Sequence, residues 1–127
     1  MNALTPLLNV DDAATSVSFY CEKLGFEVTN RFEDNGRLMW AQLSRSPIQM
    51  MINVSSEREA GGPRSGLNTY DGIVLYFSVE DVHSLHRDLV AKGCTPGSIE
   101  RQDYGLDEFM LRDPDGYELA FVSPVKQ

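Results

Sequence analysis

Apolar residues recur at helical spacing in two segments of the chain, and each segment predicts one amphipathic helix. The recurring positions are Val17, Tyr20, Cys21 and Leu24 in the first segment, and Val82, Leu85 and Leu89 in the second. An acidic residue precedes each segment, where aspartate is favoured as the helix N-cap. The candidates are Asp11 or Asp12 before the first segment and Glu80 or Asp81 before the second. Gly25 and Gly93 follow the two segments, where glycine is favoured just beyond a helix C-terminus.

Shorter apolar runs with a two-residue alternation predict β-strands around the two helices. The predicted strands are residues 7–10, 27–32, 37–44 and 48–54 in the first half, and 75–79, 95–100, 108–112 and 118–123 in the second. Asp34-Asn35-Gly36 and Asp113-Pro114-Asp115-Gly116 have the composition of tight turns. Each half is therefore predicted to run βαβββ.

The two halves are copies of one pattern. Val10 corresponds to Val79 and Asp12 to Asp81, in both cases 69 positions further along the chain. A repeat of this length is one supersecondary unit that needs its copy to bury an apolar face. We predict an α+β fold of tandem βαβββ units, with units 1–54 and 71–127 joined by a linker, residues 55–70, that is rich in Gly, Ser and charge.

Composition excludes several classes of function. The 127 residues include 19 acidic and 11 basic side chains, a net charge of −8, which disfavours nucleic acid and anionic membranes as partners. The chain has no apolar run long enough for a membrane span and no signal-peptide pattern. Two cysteines do not make a disulfide scaffold. We expect a cytoplasmic protein, for which a neutral or cationic ligand remains compatible with the charge.

Alternation along the strands separates two sheet faces. The uniformly apolar face, which we expect to pack on the helices, carries Leu8, Val10, Met39, Ala41, Leu43, Met50, Ile52, Leu75, Phe77, Val79, Leu119 and Phe121. The opposite face is mixed, with Thr5, Leu7, Asn9, Trp40, Gln42, Gln49, Met51, Asn53, Val74, Tyr76, Ser78, Glu118, Ala120 and Val122. Such a face fits a cleft for a partly apolar ligand. It fits equally a surface that packs on another subunit.

Several motifs together resemble the vicinal oxygen chelate superfamily, which includes glyoxalase I, extradiol dioxygenases, and fosfomycin and bleomycin resistance proteins. They are Asn9-Val10-Asp11-Asp12, Phe19-Tyr20, Leu24-Gly25-Phe26 and Arg112-Asp113-Pro114-Asp115-Gly116-Tyr117. The resemblance covers nearly the whole chain. It implies that the units form a curved, open mixed-sheet barrel, that the protein is a homodimer, and that a small molecule binds inside.

The same resemblance places the superfamily's metal ligands at Thr5, Gln49, Val74 and Ala120. None of these is the imidazole or carboxylate that a catalytic divalent metal requires. The resemblance therefore implies no metal and no cofactor, as in the bleomycin resistance proteins, which sequester a drug without chemistry. Two helix histidines, His83 and His86, are interpreted as surface residues rather than ligands.

The predicted ligand-binding residues are Trp40, Gln49, Met51, Tyr76, Tyr104 and Glu118. The leading hypothesis is a metal-independent protein that sequesters a partly apolar, cationic or neutral ligand. The alternative is a lyase or isomerase acting on a small carbonyl substrate, for which Glu118 is the candidate general base. A third possibility is an interaction module whose mixed face is filled by its partner subunit.

Overall fold

A computed structural model describes residues 1–54 and 72–126. The chain divides into two compact units, Met1–Leu67 and Asn68–Gln127, and the described part of each is treated by itself. The predicted linker, residues 55–70, lies outside the described residues. Within them, neither helix is long and apolar enough to cross a membrane.

Unit 1 consists of a four-stranded sheet and one helix, in the predicted βαβββ order. Its elements are β1 (Leu7–Val10), α1 (Ala13–Leu24), β2 (Glu27–Asp34), β3 (Arg37–Arg45) and β4 (Ile48–Val54). The strand order is β1-β4-β3-β2, with β1 parallel to β4 and the other pairs antiparallel. The sheet is therefore mixed and open, because β1 and β2 are its edges.

Unit 2 repeats this arrangement. Its elements are β5 (Val74–Ser78), α2 (Val82–Ala91), β6 (Glu100–Arg101), β7 (Leu106–Arg112) and β8 (Glu118–Pro124). The strand order is β5-β8-β7-β6, and β5 is parallel to β8. The prediction of an α+β fold built from tandem βαβββ units is confirmed.

Local signals in the sequence place the helix ends. Asp12 is the N-cap of α1 and its carboxylate accepts a hydrogen bond from the Thr15 backbone N–H, while Asp81 caps α2 through the His83 N–H. Gly25 ends α1 with φ 76°, a left-handed conformation that glycine adopts without a steric penalty. Asn35 and Gly36 also have positive φ, so the β2–β3 turn has the expected chemistry.

The apolar face of each sheet packs on its helix and forms the core. In unit 1, Val10, Ala41, Leu43 and Ile52 are fully buried, and α1 covers them with Ala13, Ser16, Tyr20 and Leu24. The predicted helix stripe is thus partly wrong, since Val17 and Cys21 are only half-buried. The face is rotated toward Ala13 and Ser16, whose small side chains let the helix approach the strands closely.

The strand predicted at residues 95–100 is almost absent, which is the main error in the predicted elements. Only Glu100 and Arg101 form β6, paired with Glu108 and Asp107. Pro96 has no backbone N–H to donate to a ladder. Gly97 makes one isolated backbone bond, donating to the Met110 carbonyl at 2.8 Å. A proline and a glycine in succession therefore leave this segment mostly without strand pairing.

A buried carboxylate joins three elements of unit 2. The Asp107 side chain on β7 is 5% exposed. It accepts a hydrogen bond from Arg101 Nε at 3.1 Å and pairs with His83 Nε2 of α2 at 3.1 Å. The hydrogen bonds from Arg101 and His83 hold the pKa of Asp107 below its usual range. The short β6 strand and the start of α2 are thereby tied to β7.

This carboxylate gives a prediction for acid unfolding. Since the folded-state pKa of Asp107 is lowered, its contribution to stability is complete above the unfolded-state value of about 3.9 and is lost as the pH falls through the folded-state value. We expect the free energy of unfolding, measured by urea denaturation from pH 7 to pH 3, to fall less steeply below about pH 4 in Asp107→Asn than in the wild type. Asp88→Asn, which removes the same charge from the exposed surface of α2, serves as the control. Equal slopes for wild type and Asp107→Asn would contradict the assignment.

Candidate functional site

The face of the unit 1 sheet away from α1 carries mixed side chains in cross-strand rows, as the alternation predicts. One row crosses all four strands and consists of Asn9, Asn53, Trp40 and Phe32. The neighbouring row consists of Leu7, Met51, Gln42 and Asn30. We call this surface the indole–amide face. Because directly opposite residues share one side of a sheet, these eight side chains project together.

Hydrogen bonds between side-chain amides order the indole–amide face. Asn53 Nδ2 donates to Asn9 Oδ1 at 3.1 Å, and Gln42 Nε2 donates to Gln49 Oε1 at 3.0 Å. Trp40 is half-buried, while Phe32, which lies opposite it on β2, is 59% exposed. An amide offers two N–H donors and one carbonyl oxygen, so a surface of this kind suits a planar ligand with polar edges.

The face of the unit 2 sheet away from α2 has a different chemistry. Its cross-strand rows are Val74, Glu118 and Arg112; Tyr76, Ala120 and Met110; and Ser78, Val122, Glu108 and Glu100. Ala120 and Val122 are buried, whereas Tyr76 is 59% exposed. This face therefore combines a small apolar floor with an exposed phenol and several carboxylates.

Glu118, the candidate general base, is engaged in an ion pair. Its Oε1 accepts a hydrogen bond from Arg112 Nη2 at 2.7 Å. Arg112 also donates from Nη1 to the Gly116 carbonyl, which orients its guanidinium. The ion pair fixes the orientation of the Glu118 carboxylate and occupies one of its two oxygens.

A second carboxylate on this face, that of Glu108, influences a tyrosine of the adjoining turn. Partial burial, the negative charge of Glu108 and the neighbouring Tyr76 raise the pKa of Tyr104. Tyr104 therefore stays protonated. Its ring, at the tip of the β6–β7 turn, is 65% exposed.

The two histidines that sequence inspection considered have structural partners. His83 pairs with Asp107, and His86 Nε2 lies 2.9 Å from the Gly97 carbonyl oxygen with its ring edge-on to Phe109. These contacts connect α2 to other segments of unit 2. Burial and the charges of Glu22 and Glu27 raise the pKa of the Cys21 thiol, which disfavours a reactive thiolate.

The four positions at which the resemblance places metal ligands do not fit a metal. Val74 and Ala120 have no side-chain donor atom, and Ala120 is buried. Gln49 is committed to its hydrogen bond with Gln42, and Thr5 is exposed just before β1. Across the part of the chain that the structure describes, no three His, Cys, Asp or Glu side chains come together in a way that could hold a metal ion.

Comparison with protein families identifies the fold. Residues 3–121 match the family described as the Glyoxalase/Bleomycin resistance protein/Dioxygenase superfamily. The chain belongs to this superfamily. The tandem βαβββ units and the two open mixed sheets are consistent with its fold.

Individual relatives are distant. An uncharacterized protein of Mycobacterium bovis is 27% identical over 129 residues, covering 98% of this chain and 85% of that protein. TnmS3, an antibiotic binding protein from a Streptomyces species, superposes with a TM-score of 0.72 at 17% identity, covering 98% of this chain and 97% of that one. The bleomycin-binding protein in complex with bleomycin gives a TM-score of 0.69 at 22% identity, covering 97% and 98%. At these identities the likeness to the two structures shows the fold.

The structure separates the predicted ligand-binding residues into two groups. Trp40, Gln49 and Met51 lie in unit 1, and Tyr76, Tyr104 and Glu118 lie in unit 2. Sequence inspection placed Asn9, Gln42 and Asn53 on the mixed face without assigning them a role, considered Glu108 only as a residue at the rim of that face, and missed Phe32. Phe32 follows from the pairing of β2 with β3, and Glu108 from the pairing of β7 with β8, neither of which a single strand's alternation reveals.

Proposed function

We propose that the protein binds a partly apolar small molecule without the aid of a metal ion, as a homodimer in the cytoplasm. The observation that carries the proposal is the indole–amide face. There an indole and an exposed phenyl ring lie beside two hydrogen-bonded amide pairs, on a sheet whose other face supplies the core. Aromatic surface gives contact area, and the amides give a planar ligand its orientation.

The residues at the four metal positions support a binding role rather than metal-dependent catalysis. A Lewis-acid role at these positions would need donor atoms that Val74 and Ala120 lack. The likeness in fold to an antibiotic binding protein and to a bleomycin-binding protein supports the same conclusion. The lyase or isomerase alternative would rely on Glu118, whose carboxylate is held by Arg112, so we do not propose it.

A thermal-shift screen tests this function. We expect planar heteroaromatic compounds, including antibiotics with fused or linked rings, to raise the Tm, because binding to the folded state alone stabilises by mass action. A compound present at about 100 times its Kd contributes about 2.7 kcal/mol of stability. The shift should be the same with EDTA as with added Zn²⁺ or Mn²⁺.

Two results of the screen would contradict the proposal. The first is stabilisation that requires a divalent metal and disappears with EDTA. The second is the absence of any stabilising compound in a library that spans antibiotics and aromatic metabolites.

A further inference from the structure

Glu108 and Glu100 form a pair of like charges on the unit 2 sheet. They lie directly opposite each other on β7 and β6. Like charges at directly opposed positions destabilise an antiparallel pair. Among the residues that the structure describes, no Lys, Arg or His forms an ion pair with either carboxylate, whereas Asp107 on β7 and Glu118 on β8 are both paired with arginine.

Glu108 lies close enough to Tyr104 for its negative charge to raise the pKa of the phenol. Oε1 of Glu108 is buried, and no donor within the described ranges 1–54 and 72–126 reaches it. A buried acceptor without a donor carries a desolvation cost that no contact offsets. Such an atom in a native protein calls for a physical reason, and a ligand donor is one.

Tyr76 lies on the same face of the sheet as this carboxylate, and Tyr104 interacts with it electrostatically. Tyr76 and Tyr104 are 59% and 65% exposed. Exposed aromatic rings attract cations through their negative faces. Tyr76, Tyr104 and Glu108 thus form what we call the tyrosine–carboxylate cluster, in which the net charge is negative and apolar ring surface is available.

We propose that the tyrosine–carboxylate cluster binds a cationic group that carries N–H donors, such as a primary ammonium, amidinium or guanidinium, at one end of an organic ligand. The donor would satisfy Glu108 Oε1, the positive charge would neutralise Glu100 and Glu108, and the adjoining apolar carbons would lie against Tyr76 and Tyr104. A quaternary ammonium supplies the charge without the donor and is expected to bind less tightly. This inference rests on the proposed small-molecule function and gives it a ligand class.

Three matched probes test the cluster: benzylamine, benzyltrimethylammonium and benzyl alcohol. Kd values are obtained by ¹H–¹⁵N NMR titration, following the backbone amides of Tyr104, Gly105 and Glu108 at low ionic strength. We expect benzylamine to bind about tenfold more tightly than benzyl alcohol, because both can donate a hydrogen bond to Glu108 but only the ammonium adds the attraction of opposite charges. Benzyltrimethylammonium should fall between them.

Glu108→Gln should remove the preference for benzylamine over benzyl alcohol. Glu80→Gln removes the same charge from an exposed site on the same unit and should leave every Kd within about twofold, since distant exposed charges are screened. Glu108→Gln should also raise the Tm of the ligand-free protein, because it relieves the repulsion from Glu100. A lower Tm, with the benzylamine preference retained, would show Glu108 to be structural and overturn the inference.

The outcomes separate this inference from the proposed function. Equal affinity for the three probes, or NMR chemical-shift changes confined to unit 1, would overturn the cation site. Small-molecule binding in general would still be decided by the library screen. Conversely, a benzylamine preference that Glu108→Gln abolishes would stand even if no library compound were found.

Discussion

Replacing Phe121 by alanine is expected to lower the free energy of unfolding by about 3–5 kcal/mol, the usual range for a buried phenylalanine. Phe121 is 3% exposed and lies at the centre of a stack of three rings. Its centroid is 5.3 Å from that of Phe77 and 5.1 Å from that of Phe109, with interplanar angles of 18° and 23°. Removal of the middle ring leaves a cavity and ends both stacking contacts. Urea denaturation measures the change.

Phe32→Ala is the matched control, because Phe32 is 59% exposed on the unit 1 sheet. Its effect on the free energy of unfolding should stay within about 0.5 kcal/mol, as for most exposed positions. The two variants lose the same atoms, so the difference between them reports the combined effect of burial and ring stacking at Phe121. A loss of less than about 1 kcal/mol for Phe121→Ala would mean that the cavity collapses or that the ring stack is not the centre of the unit 2 core.

Replacing Trp40 by alanine is expected to weaken ligand binding about thirtyfold, the effect of losing about 2 kcal/mol at an aromatic hot spot. Trp40 lies in the row of the indole–amide face between Asn53 and Phe32. It is thus the aromatic side chain nearest to the ordered amides. Affinity is measured by isothermal titration calorimetry with whichever compound gives the largest stabilisation in the thermal-shift screen.

Trp40→Phe keeps a ring at this position and should recover most of the affinity. If Trp40→Ala and the wild type bound the compound equally well, the ligand would lie away from the indole–amide face. The ligand-free Tm of each variant distinguishes a lost contact from a damaged sheet. Trp40 is half-buried, so a moderate decrease in the Tm of Trp40→Ala is expected as well.

The elements that could be predicted from sequence are those with local signals. Asp12, Gly25 and Asn35-Gly36 each determine the backbone within a few residues, so both helices and the β2–β3 turn lie where expected. The strand prediction at residues 95–100 is wrong because it neglects two local signals. Pro96 has no N–H to donate to a neighbouring strand, and Gly97 contributes an isolated backbone hydrogen bond to Met110 instead of a ladder.

The candidate site was only partly predictable, because its chemistry depends on contacts between strands. Alternation placed Trp40 and Tyr76 on the correct face, since that requires only the period of one strand. It could not show that Gln49 is engaged by Gln42, that Glu118 is held by Arg112, or that no donor from the described residues reaches one oxygen of Glu108. Those facts depend on register and on the conformation of the turn that carries Tyr104.

The parallel pairing of β1 with β4, and of β5 with β8, bears on how the protein is made. In each unit the first strand hydrogen-bonds to the last. Leu7 therefore cannot pair until Met51 is available, and Val74 cannot pair until Glu118 is available. Neither sheet is complete until the final strand of its unit has left the ribosome. Unit 1 reaches that point when Val54 emerges, before any strand of unit 2 has left the ribosome. Folding during translation is therefore expected to proceed one unit at a time, with the unpaired β1 as the edge at risk of mispairing in the interval.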